Sequence, residues 1–279
     1  MRGKTIQIYL TDGSPNGIKV AEITSNIERA IVIPRNKLTE AVKRTETARP
    51  GIYFLFGHDE DKAKPVVYIG QTKEGIKRIK THDQKIDFWN YVVLVISKTS
   101  SFTKTHIEFL EELAIRKARE ASRFELSNSS TPQKTDVPEH MEADLLDNYD
   151  TIKMLLSTLG YPLFEKLGQP SKSKKEVLYC KGKDGKGEGQ YTDEGFVVFA
   201  GSKCNIELSK TAGSSLKNLR DRLISSGVLK KDRNVYVFKS DYLFNSPSAA
   251  SNIVLARRSG GWTEWKDRNG KTLDELKRS

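Results

Sequence analysis

Tyr91-Val92-Val93-Leu94-Val95-Ile96 is the longest unbroken apolar run in this chain, and it constrains the fold more than any other stretch. Six residues are too few to cross a bilayer, which takes about 20 in a helix. They are apolar at both parities of a strand, so neither face can be left in water. The run reads as a central strand covered on both sides. Around it lie short strands and amphipathic helices in the order strand, strand, helix, strand, helix. That order predicts an α+β sandwich.

The rest of the chain divides by pattern and composition. Residues 1–48 read as a small β-rich N-terminal unit ending in a short helix, because Thr5–Leu10 alternates with period two and Asp12–Gly17 is turn chemistry. Residues 49–135 form a second unit. It opens with a hairpin whose strands hold Gly51-Ile52-Tyr53 and Tyr68-Ile69-Gly70, joined by a polar loop, Gly57–Lys62. A short helix from about Gly75 to His82, the central strand, and a long helix from about Thr103 to Ser122 follow. Residues 136–175 read as a helical connector and linker. Residues 176–279 read as a separate α+β C-terminal domain. In it, Gly227 ends a helix over 214–226, Ser246-Pro247 starts another, and Trp262–Gly270 forms a final hairpin.

Net charge is +11, and it is unevenly spread. Residues 1–170 carry 25 Lys and Arg against 23 Asp and Glu, and residues 171–279 carry 22 against 13. A basic domain favours a polyanionic partner through counterion release, although a Lys-rich solvated surface gives the same count. Two cysteines, Cys180 and Cys204, are too few and too far apart for a zinc site. No apolar leader opens the sequence, so a cytoplasmic protein without membrane contact is expected.

One residue conflicts with its surroundings. On a helical wheel, Ile107, Leu110, Ala114, Ile115, Ala118 and Ala121 share a face, and Glu111 falls in its middle. Glu108, Glu112, Arg116, Arg119 and Glu120 fall on the polar side. A carboxylate in an apolar stripe must be paired, neutral or metal-bound. A salt bridge across the core and a metal or catalytic role both satisfy that. Arg78 and His82, four residues apart, share a face of the short helix, with Ile76 and Ile79 beneath. Arg78 has the planar fork that suits a phosphate, although a solvated surface position is the commoner one for any single arginine. In the hairpin, Tyr53 and Leu55 point to one side and Ile52, Phe54 and Phe56 to the other.

Together these residues resemble the GIY-YIG nuclease family over residues 50–128. Both tripeptides are intact. Arg78 stands ten residues after Tyr68, His82 where members have His or Tyr, Glu111 in "FLEELAI", and Asn128 after "RFEL". The resemblance implies a three-stranded antiparallel sheet flanked by helices, and a metal-dependent endonuclease acting on DNA. It implies that Glu111 holds a divalent cation, Mg²⁺ or Mn²⁺, and that Arg78 binds the phosphate. It further implies that Tyr53 is the general base or orients the attacking water, its phenol lowered by the metal and nearby cations, and that Tyr68 and His82 position the water or relay the proton. Gly51, Gly70 and Asn128 would support the site structurally. Two departures stand out: the loop between the tripeptides is long, and Gln71 replaces the lysine that follows the second tripeptide in excision-repair members. A non-catalytic DNA-binding platform on the same fold is the alternative.

Residues 195–279 resemble a domain of unknown function appended to such nucleases. The "SPSAAS…GGWTEW" pattern is also similar to a small domain attached to restriction and DNA-methylation enzymes. The implied role is DNA targeting, with Lys172, Lys174, Lys175, Arg257 and Arg258 on phosphates. Trp262 and Trp265 are expected on one side of the hairpin, as core or as a stacking surface.

Overall fold

The computed structural model describes residues 3–83, 86–130, 132–167, 177–210 and 212–278, the side chains of 81–83 excepted. The fold is mixed α+β, with two sheets and, among the described residues, eight α-helices. The chain splits into two compact units, residues 1–59 with 64–165, and residues 60–63 with 166–279. No helix among the described residues is long and apolar enough to cross a membrane.

The first unit is built on one seven-stranded sheet. Its strands are β1 (Ile6–Leu10), β2 (Lys19–Ile23), β3 (Glu28–Pro34), β4 (Gly51–Gly57), β5 (Val66–Thr72), β6 (Trp89–Ser97) and β7 (Glu125–Leu126). The order is β1-β2-β3-β6-β4-β5-β7. Pairing is antiparallel except between β5 and β7. The apolar run 91–96 is the middle strand of the sheet, as its two-sided pattern predicts. Leu94 lies opposite Ile31 on β3 and Tyr53 on β4.

Alternation sorts the side chains into two cores. One face gathers Ile52, Phe54, Phe56, Val67, Ile69, Val93 and Val95 under α3 (Lys104–Ala121) and α4 (Glu139–Thr158). The other gathers Tyr53, Leu55, Val92, Leu94 and Ile96 with residues of α1 (Leu38–Ala41) and α2 (Ile76–Asp83). The hairpin residues therefore face as the sequence predicts.

Two expectations change. Residues 1–48 do not stand apart, because β3 pairs along seven residues with β6 and so joins β1 and β2 to the same sheet. The sequence near 136–160, expected as a connector, is instead a second covering helix. Leu145, Tyr149, Ile152, Leu155 and Leu156 of α4 are buried over the β2–β3 half of the sheet, which would otherwise leave its apolar face in water.

The second unit has seven antiparallel strands, β8 (Leu178–Lys181), β9 (Lys186–Thr192), β10 (Gly195–Val198), β11 (Lys203–Asn205), β12 (Leu229–Asp232), β13 (Val235–Phe238) and β14 (Tyr242–Phe244). Its helices are α5 (Ser214–Ser225), α6 (Pro247–Leu255), α7 (Gly261–Glu264) and α8 (Leu273–Lys277). The start and stop signals hold: Gly227 takes a left-handed φ of 73° after α5. The Ser246 hydroxyl accepts from the Ala249 amide at 3.1 Å, with Pro247 in the first turn of α6. Of the expected final hairpin only the turn forms: Lys266 and Thr272 bridge antiparallel around Asp267–Gly270, whereas Gly261–Glu264, expected as a strand, is a short helix. That helix separates the two tryptophans. Trp265 is fully buried, its ring 4.3 Å from Phe196 and its Nε1–H donating to the Pro247 carbonyl at 3.0 Å. Trp262 is partly buried beneath the Arg278 guanidinium. Cys180 and Cys204 are buried free thiols.

Candidate active site

The packing of β4 against β5 and β6 explains why each tripeptide carries its glycine. Tyr53 lies directly opposite Gly70, and Leu55 opposite Tyr68. Tyr53 and Tyr68 are thus diagonal neighbours on one face, within reach for aromatic side chains. Their ring centroids are 6.1 Å apart. The Tyr53 ring leans over Gly70 to get there: a Cβ on Gly70 would stand 2.5 Å from both Cζ and Oη of Tyr53. Gly51 answers to a different neighbour. A Cβ there would stand 2.2 Å from the Val95 carbonyl oxygen of β6. One glycine admits a ring and the other admits a backbone.

The far edge of β5 is where the rest of the site assembles. Strand β7 pairs with β5 only at Val66 and Val67. Beyond it the Asn128 side chain continues the ladder, donating from Nδ2 to the Ile69 carbonyl at 2.8 Å and accepting at Oδ1 from the Ile69 amide at 3.0 Å. Gln71, two residues further, has the same orientation as Ile69. Its backbone N–H donates to the Glu111 carboxylate, which arrives from α3. On the other face, Thr72 and Gly75 turn the chain into α2. The Thr72 hydroxyl donates to the Gly75 carbonyl at 3.1 Å and accepts from the Glu74 amide at 3.1 Å. Ile76 and Ile79 anchor α2 in the core, leaving Arg78 exposed. The tyrosines thus come from the hairpin, Glu111 from a helix on one face and Arg78 from a helix on the other, all at the end of β5.

Electrostatics tie the four together. Burial, then the neighbouring Tyr68, raises the Tyr53 phenol, with Arg78 opposing and Glu111 adding to the rise. Tyr68, half-buried, is also raised, first by burial and then by Glu111. The Tyr53 hydroxyl donates to Tyr68, which favours a protonated Tyr53. Glu111 is pushed up to about 7, chiefly by burial and further by Glu108, with the Gln71 amide opposing. Among the described residues no cation pairs with Glu111, so the cross-core salt bridge that would have explained it in bland terms is absent there.

Helix α3 differs from the wheel in one respect. Glu112, expected on the polar side, is the more deeply buried acid at 6% exposure, whereas Glu111 is half-buried. Helix α4 packs beside α3 and covers that side, and Glu112 is held by Arg116 at 3.1 Å. The wheel identified one buried face because α4 could not be anticipated from α3 alone.

The chemistry of the donor set fits a hard divalent cation. A half-buried carboxylate whose charge is disfavoured where it stands, with phenol oxygens beside it, suits Mg²⁺ or Mn²⁺ rather than a soft metal. Among the described residues no three His, Cys, Asp or Glu cluster, so Glu111 would be the principal protein ligand. His82 falls within α2, and its side chain lies outside the described residues. Lys172, Lys174 and Lys175 also lie outside them. Of the remaining proposed phosphate contacts, Arg257 and Arg258 are exposed, and Arg257 pairs with Glu264 at 2.7 Å. Sequence reasoning notes Gln71 only as a departure from the family pattern, and misses both its backbone contact to Glu111 and the role of Thr72. A backbone donor and a turn hydroxyl leave no motif of their own, although Thr72 three residues before a glycine is a turn signal.

Residues 178–277 match a family described as Domain of unknown function (DUF4357), a match that lies wholly in the second unit. No curated protein and no solved structure matches the chain.

Proposed function

We propose that the first unit is a metal-dependent nuclease that hydrolyses DNA phosphodiester bonds, with the basic second unit engaging the nucleic acid. The observation that carries this reading is the convergence of Tyr53, Tyr68, Arg78 and Glu111 at one end of β5, from four separate elements, β4, β5, α2 and α3. Support comes also from the antiparallel triplet β5-β4-β6 inside the seven-stranded sheet, with α2 on one face and α3 on the other, which is compatible with the three-stranded sheet flanked by helices that the GIY-YIG resemblance implies.

The residues divide the work by their charge and burial. Arg78, exposed and within electrostatic reach of both phenols, binds the scissile phosphate and offsets the charge that grows on it. Glu111 would hold the divalent cation, having first lost a proton that it keeps up to about pH 7. Bound there, such an ion acts as a Lewis acid on the phosphate and on the leaving oxygen. Tyr53 is 1% exposed and its phenol is raised, so it acts as a hydrogen-bond donor that orients Tyr68. Tyr68 is the phenol with solvent access, and it orients the attacking water.

The test is nicking of supercoiled plasmid in Mg²⁺ and in Mn²⁺ by wild type, Glu111→Ala and Arg78→Ala. Wild type should nick and both variants should lose at least about 100-fold, the scale for removing one electrostatic stabiliser. Equal nicking by all three would overturn the assignment of the site, and no nicking by wild type on supercoiled, linear and branched DNA would overturn the reaction.

A further inference from the structure

The second unit contains a cavity of about 550 Å³ lined by Tyr179, Lys181, Glu264, Lys266, Asp267 and Arg268, among others. That volume is within the range of about 300–1,000 Å³ typical of ligand sites. Its walls follow from local structure. Leu178 and Cys180 of β8 face the core, so alternation turns Tyr179 and Lys181 together to the opposite side. Tyr179 and Lys266 form an isolated antiparallel bridge, each amide donating to the other's carbonyl, at 2.7 and 2.9 Å. The Arg268 Nε donates to the Tyr179 hydroxyl at 3.2 Å, which holds the ring and the guanidinium in one arrangement.

The charges in this cavity do not cancel locally. Asp267 Oδ1 accepts from the Asn269 and Lys271 amides, at 2.9 and 2.8 Å, and so serves the turn. Glu264 Oε1 is held by Arg257 at 2.7 Å. Lys266 is in the field of Glu275, but that carboxylate accepts from the Thr272 amide and hydroxyl, both at 2.7 Å. Among the described residues no ion pair engages Lys181, Lys266 or Arg268. Three cations and one tyrosine ring around a preformed hollow suit a ligand that combines phosphate with a planar ring.

We propose that this cavity binds one nucleotide of single-stranded nucleic acid, the base against Tyr179 and the phosphate among Lys181, Lys266 and Arg268. A paired base has both faces occupied by its neighbours and cannot offer one to the ring, and the cavity is sized for one nucleotide rather than a duplex. This deepens the proposed function, on which it rests for the kind of polymer bound, and it assigns a site to a domain of unknown function.

The test uses the full chain in chelator, so that binding is read without cleavage. Fluorescence anisotropy would follow labelled single-stranded DNA of about ten nucleotides, within the span of single-strand sites. Competitors are an abasic strand of equal length, the matching duplex, and a free nucleoside monophosphate. The normal strand should bind at least about tenfold tighter than the abasic strand, and Tyr179→Ala should abolish that preference. Tyr179→Phe, which keeps the ring, should retain it. Lys181→Ala with Arg268→Ala should reduce the slope of log K against log salt by about 1.4, two contacts at roughly 0.7 each. Equal binding of normal and abasic strands, or no effect of these variants, would overturn the site. Competition by the free nucleotide alone would overturn the single-stranded partner. Because nicking plays no part here, Tyr179-dependent binding by a chain that never nicks would preserve this inference and remove only the nuclease.

Discussion

Glutamine at position 111 keeps the shape of the side chain and its acceptor for the Gln71 amide, and removes only the charge. The size of the effect follows from the site. Burial moves Glu111 from an ordinary 4.5 to about 7, and at about 1.36 kcal/mol per pH unit the whole shift corresponds to about 3.4 kcal/mol. That is an upper bound for a half-buried group with partial solvent screening, and about 1–2 kcal/mol is expected. Between the two values the folded chain holds the proton more tightly than the unfolded chain. Stability is therefore greatest below 4.5, falls as pH rises to about 7, and stays low above it. The glutamine variant has no such proton to lose. At about pH 8 in chelator, Glu111→Gln should be more stable than wild type by about 1–2 kcal/mol, which is roughly 2–8 °C at the melting scale for a unit of this size. At about pH 4.5 the two should coincide. Scanning calorimetry suits the measurement, because the two units can unfold in separate transitions and only the one carrying Glu111 should move. Adding Mn²⁺ should then raise the wild-type transition, by about 2.7 kcal/mol at a hundredfold excess over its dissociation constant, and leave the variant where it was. A glutamine variant no more stable than wild type at pH 8 would mean that the carboxylate is not disfavoured by its surroundings, and the physical case for a cation there would fail.

Two further predictions concern the scaffold. Gly70→Ala forces a methyl against the Tyr53 ring and should cost about 1–3 kcal/mol in urea unfolding, while combining it with Tyr53→Leu should recover part of the loss; additive losses would show that the two positions do not meet. Asn128→Ala removes both hydrogen bonds to Ile69, and should cost about 1–2 kcal/mol and speed hydrogen exchange at the Ile69 amide about tenfold. Unchanged exchange there would show that the side chain does not extend the ladder.

The tyrosines illustrate how a residue type can be legible while its state is not. A free phenol titrates near 10, and neighbouring cations could have lowered it. Tyr53 instead lies in the core between β6 and α2, where burial outweighs Arg78 and keeps its proton on. The number of cations near Tyr53 can be guessed from sequence; the depth of the pocket in which they act cannot.

By itself the sequence determined much of the local structure, because local structure depends on period and on turn chemistry. The two-sided run 91–96 had to be central, the alternation of 52–56 had to split between two faces, and Ser246-Pro247 had to start a helix. It also singled out Glu111, since a carboxylate between Leu110 and Ala114 conflicts with its helix face whatever that face packs against. Three things were decided only by tertiary structure. β3 chose β6 as its partner and thereby made residues 1–48 part of the larger sheet. α4 covered a second side of α3 and buried Glu112 beyond what one wheel could show. A single turn at 261–264 separated Trp262 from Trp265. Each of these depends on which surface is left uncovered after the local elements have formed, and that is a property of the whole assembly rather than of any window of sequence.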